Sequence, residues 1–75
     1  MIIAVLIDKL DANGYVVASA SGPTYASAHE ELRQKVVVNK MLFSTYEGKV
    51  SLDDSTFYDA IDGIDDDWSI EVFDL

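Results

Sequence analysis

The sequence predicts a small α+β domain with the element order β-β-α-α-β: a three-stranded antiparallel sheet with two helices on one face. Three observations lead there. An apolar, β-branched run opens the chain and is followed closely by Asn13-Gly14, the signature of a tight hairpin. Two central stretches repeat apolar residues at three- and four-residue steps, and an alternating apolar run closes the chain. A length of 75 residues permits one domain, residues 1–75, with a single small core, and without cysteine that core must rest on packing alone.

Ile2-Ile3-Ala4-Val5-Leu6-Ile7 is expected to be a strand buried on both faces and the centre of the sheet. It is far shorter than the ~20 apolar residues of a membrane span and lacks the basic lead of a signal peptide. A cytoplasmic protein without membrane contact is therefore expected. After the turn at Asp11-Ala12-Asn13-Gly14, Tyr15–Ala20 forms the return strand, with Tyr15 and Val17 on one face and Val16 and Ala18 on the other. Ser21-Gly22-Pro23 is a loop. Ser27-Ala28-His29-Glu30 has the spacing of a capping box, with Thr24 as the alternative cap one turn earlier. The helix is expected to run to Phe43 or Ser44, presenting Tyr25, Ala28, Leu32, Val36 and Phe43 on one face. Val36-Val37-Val38 is its weak point, because β-branched side chains lose rotamer freedom in a helix, and a break or a short strand there is the main alternative. Gly48 marks the next turn. A second helix starts at Ser51 as N-cap, shows the apolar stripe Phe57, Ile61 and Ile64, and ends at Gly63. Trp68–Phe73 alternates as the third strand, with Trp68, Ile70 and Val72 facing the core.

The net charge of −9 is unevenly distributed. Residues 1–50 hold five acidic and five basic side chains, whereas residues 51–75 hold nine acidic and no basic ones. Direct nucleic-acid binding is excluded, because it requires Lys and Arg to displace phosphate counterions. Asp53 and Asp54 have a local reason to be acidic, at the positive end of the second helix dipole. Asp59, Asp62, Asp65, Asp66, Asp67, Glu71 and Asp74 have none. Asp65–Asp67 even follow the helix C-terminus, where an anion costs roughly 0.3–1 kcal/mol.

No catalytic set is legible. His29 is the sole histidine, there is no thiol, and phosphate-cradling glycine loops are absent. The turn at Asp11–Gly14 resembles the middle of a calcium loop, but Lys9 and Ala20 fall where that loop needs carboxylates. The cluster Asp62–Asp67 fits no standard cation loop. No enzyme activity, cofactor or specific metal site is expected.

A charge concentrated so completely points to a cationic partner rather than to general solubility. In size, lack of cysteine and rows of carboxylates, the chain resembles very small acidic phage-type inhibitors, including anti-CRISPR and anti-restriction DNA mimics. The resemblance rests on Asp59-Ala60-Ile61-Asp62-Gly63-Ile64-Asp65-Asp66-Asp67 with Glu71 and Asp74, and involves no shared sequence motif. It implies a stoichiometric blocker of a basic nucleic-acid-binding protein or complex, such as a defence nuclease, with those acids standing in for phosphates and Tyr58 as an aromatic contact. The competing expectation is a protein-interaction or assembly module, monomer or homodimer, that pairs through the exposed strand Tyr15–Ala20 or an apolar surface. Trp68 is expected in the core; Tyr46 and Tyr58 are candidate interface aromatics.

Overall fold

β1 spans Ile2–Asp8 and pairs on both sides, antiparallel to β2 (Tyr15–Gly22) and to β5 (Trp68–Asp74), so the sheet order is β2-β1-β5. The structure, a computed structural model, describes residues 1–10, 13–45 and 48–75, with Ser44 and Thr45 by their backbone only. Part of the expected hairpin turn (Asp11, Ala12) and Tyr46 and Glu47 lie outside the described residues. The three-stranded sheet, its central strand and the two helices on one face are as the sequence predicts. Two differences concern the sheet itself. β1 is buried on one face only, with Ile2, Ala4, Leu6 and Asp8 inward and Ile3, Val5 and Ile7 half-exposed on the other side. β2 carries a bulge opposite Leu6 and Ile7. Val17 and Ala18 therefore both pack toward the core while Val16 stays exposed, instead of alternating cleanly.

β2 also runs through Ser21 and Gly22, which the sequence reading placed in a loop. Gly22 is where α1 (Tyr25–Arg33) starts against the sheet: a Cβ there would lie 2.9 Å from the Ala28 backbone nitrogen and collide with Ser27. The α1 cap is Thr24 rather than Ser27. Thr24 Oγ1 accepts from the Ser27 amide at 3.1 Å, and Ser27 Oγ accepts from the Thr24 amide at 3.0 Å, so the box is reciprocal and one turn earlier than the glutamate spacing indicated.

The long helix expected to reach Phe43 is not there. α1 gives way to a π-helical turn over Gln34–Val38, closed by Asn39 N–H donating to Gln34 O at 3.2 Å. The wider turn keeps Val36 fully buried in line with Ala28 and Leu32, and leaves Val38 half-exposed. Lys40 then takes a left-handed φ of 51°, which ends the helical path. The chain enters β3 (Leu42–Thr45), which pairs antiparallel with β4 (Gly48–Ser51) in a second, two-stranded sheet. Phe43 thus reaches the core from a strand. α2 spans Asp54–Ile61. The core joins Ile2, Ala4 and Leu6 of β1 to Ala28, Leu32, Val36, Phe43, Leu52, Phe57, Ala60 and Trp68, so every helix lies on the inward face of the β1 sheet.

Candidate partner-binding surface

α2 is set by its ends. Asp53, not Ser51, is the N-cap: its Oδ1 accepts from the Thr56 amide at 2.8 Å. That bond holds the Asp53 carboxyl below the usual carboxylate range. Asp54 in the first turn accepts from Arg33 Nε at 2.8 Å, tying α2 to the end of α1 and raising the Arg33 pKa above its ordinary value. At the other end Gly63 has φ 74°, with its N–H on Ala60 O at 3.3 Å and the Ile64 N–H on Asp59 O at 2.8 Å. This is a full Schellman motif, and it turns the chain away so that Ile64 is 68% exposed instead of completing the apolar stripe. Phe57 and Ala60 bury the inward side, with Ile61 packed at its margin.

Tyr58, Asp59 and Asp62 consequently sit on the outer side of α2. Asp62 and Tyr58 are exposed and Asp59 is half-buried. The Tyr58 ring meets Phe57 edge-on, centroids 5.6 Å apart, and remains 48% exposed. In the following turn Asp65 Oδ1 accepts from the Asp67 amide at 2.8 Å, and Asp67 O accepts from the Lys9 amide at 2.8 Å. Asp65 therefore has a local structural role that spacing alone did not reveal: it braces the turn, and the turn is anchored to the end of β1. Asp66 and Asp67 are exposed. Asp59 and Asp62 thus share one side of α2, and Asp66 and Asp67 follow in its C-terminal turn; these four form the acidic ridge.

Glu71 and Asp74 are not on that ridge. Glu71 pairs in register with Val5, on the sheet face opposite the helices. Asp74 pairs with Ile2 at the far end of β5, roughly 23 Å along the strand from Asp67 at ~3.3 Å per residue. Trp68, 5% exposed, is a core residue.

Among the described residues the ion pairs are Arg33 with Glu30 at 3.4 Å and with Asp54 at 2.8 Å. None of the seven acids without a helix-capping role belongs to one. Lys35 donates from Nζ to Ser19 O at 2.9 Å, which partly covers the outer edge of β2 that had been expected to lie open. His29 is half-buried within α1. Among the described residues no three His, Asp or Glu side chains converge as metal ligands, and no helix is long and apolar enough to cross a membrane. No protein-family model, curated protein or solved structure matches the chain.

Two features escaped the sequence reading. Asp8 is fully buried; its Oδ1 accepts from the Leu10 amide at 2.9 Å, and its Oδ2 has no partner among the described residues. Asp8 continues the inward alternation of β1 and stands in register between Tyr15 and Trp68. The second feature is the outward column Ile3, Val5 and Ile7, whose apolar character had been read as burial on both faces.

Proposed function

We propose that the chain is a non-catalytic, stoichiometric inhibitor acting in the cytoplasm. The acidic ridge of α2 and its turn occupies the basic nucleic-acid-binding site of a larger protein or complex, of the defence-nuclease type implied by the resemblance above. One observation carries this reading. Asp59, Asp62, Asp66 and Asp67 fall within nine residues, outside any ion pair among the described residues, while Arg33 is engaged by Glu30 and Asp54 and Lys35 by Ser19 O. Side chains at a three-residue helical step, as Asp59 and Asp62 are, have Cβ atoms about 5–6 Å apart. Double-stranded DNA presents about one charge per 1.7 Å of axis, so the ridge replaces only a short stretch of backbone. Tyr58 beside it offers the flat, amphipathic surface on which a partner's arginine or aromatic side chain packs.

The placement of Asp65 decides how to test the idea. Reversing Asp65, Asp66 and Asp67 together would also break the bond that braces the turn. The variant Asp62→Asn, Asp66→Asn, Asp67→Asn removes three exposed charges and keeps Asp65. The measurement is capture of nucleic-acid-binding proteins from source-cell extract by immobilised chain, with and without competing duplex DNA. The reading expects capture by the native chain, displacement by DNA, and loss of both with the triple variant. Equal capture by native and variant chains contradicts it.

A further inference from the structure

The chain passes from α1 to β3 through two irregular steps, the π turn at Gln34–Val38 and Lys40 with its left-handed φ of 51°. Glycine adopts that conformation freely, whereas the Cβ of lysine crowds the backbone there. Non-glycine residues held in this way cluster at ligand sites, and so do π turns. Here both steps border one groove of 540 Å³, which separates the π turn and the start of β3 from the end of β4 and the start of α2. Its volume falls in the range of small-molecule sites.

The lining divides by polarity. Leu52 is buried and Val37 half-buried, so they make the floor, and Leu42, 64% exposed, stands as an apolar wall. All three are aliphatic, and no aromatic face in the groove offers a ring a stacking partner. The exposed rim is polar, with Lys40 on the side of the π turn and Ser51, Asp53 and Asp54 across from it. Charge then decides the head group. Arg33 engages Asp54 at 2.8 Å, and the amides at the start of α2 engage Asp53. Lys40 belongs to no ion pair among the described residues, so the rim offers one uncommitted cation beside an aliphatic floor.

We propose that this groove binds a medium-chain aliphatic carboxylic acid, with its alkyl chain over Val37, Leu42 and Leu52 and its carboxylate on the Lys40 ammonium. Burial of the alkyl chain supplies most of the affinity, and the ion pair fixes which end faces Lys40. The groove lies at the N-terminal end of α2, whereas the acidic ridge runs on past its C-terminal end. The site does not depend on the inhibitory reading.

The test is titration of the ¹⁵N-labelled chain, followed by amide chemical shifts, with three probes of equal tail and different head: octanoate, octanol and octylammonium. Saturable shifts are expected at Val37, Lys40, Leu42 and Leu52, with octanoate binding about fivefold tighter than octanol, as one exposed ion pair allows, and octylammonium binding weakest. Lys40→Gly removes the ammonium and suits the left-handed turn, so the fold is kept while octanoate falls to the affinity of octanol. Leu42→Ser, at an exposed position, should weaken octanoate and octanol alike. Asn at 62, 66 and 67 should leave octanoate binding in place, which separates failure here from failure of the ridge. Octylammonium binding as tightly as octanoate would assign the head group to Asp53 and Asp54 and overturn the proposal. Octanoate affinity unchanged in Lys40→Gly, shifts confined to residues away from the groove, or no saturable shift with octanoate would each overturn it as well.

Discussion

Asp8 is the residue most at odds with its surroundings. A carboxylate buried with one oxygen unpartnered among the described residues is expensive, because that oxygen gains no protein hydrogen bond to offset its desolvation. Its Oδ1 has a purpose, holding the Leu10 amide as the chain leaves β1. Asp8→Asn preserves that acceptor and removes the charge, so it is predicted to raise stability in urea unfolding by about 1 kcal/mol. A loss of stability instead would show that the second oxygen has a partner. Gly22 is the opposite case, a residue with no side chain because none fits. Gly22→Ala drives a methyl group toward the Ala28 backbone and is predicted to destabilise by about 1–3 kcal/mol, read from the same unfolding curves.

Among the elements, α2 carries the proposed binding surface and is secured at both ends by caps. The sign of its pH dependence follows from Asp53, whose folded pKa is lowered chiefly by the Thr56 amide. The cap's contribution is fully present above the unfolded carboxylate pKa of about 3.9 and is lost as pH falls through the lower folded value. Asp53→Ala should therefore lower the melting temperature by a few degrees at neutral pH, and its curve should converge with that of the native chain in acid. The elements also show what a sequence can reveal. The strands β1, β2 and β5 were legible because their periodicity and the Asn13-Gly14 turn act locally. Phe43 was misassigned because it falls seven residues after Val36, a helical interval, although the chain between them leaves the helix. The break lies at a π turn that includes Val36–Val38, the weak point their β-branched side chains marked, and at Lys40, a non-glycine residue in a left-handed conformation that has no local sequence signal. The ridge acids were legible as a charge run. Their division from Glu71 and Asp74 was not, since it depends on which side of the sheet α2 packs.

For the whole molecule, surface and charge decide the behaviour. The net charge of −9 predicts a monomer by sedimentation at physiological salt, and a dimer there would favour pairing of two copies. The acidic third repels itself in the folded state, so added salt should raise the melting temperature. The same screening should weaken capture by a basic partner. Fold and complex thus respond to salt with opposite signs, which separates loss of binding from loss of structure.

On the reading proposed above, the α2 ridge meets a cationic nucleic-acid site. Its most direct measurement is the affinity of the native chain and of the Asp62→Asn, Asp66→Asn, Asp67→Asn variant for the captured nucleic-acid-binding complex, followed across a salt series. Native binding should fall steeply with salt, and the variant should bind weakly with a much shallower dependence. Native and variant chains with the same affinity and the same salt dependence would contradict it.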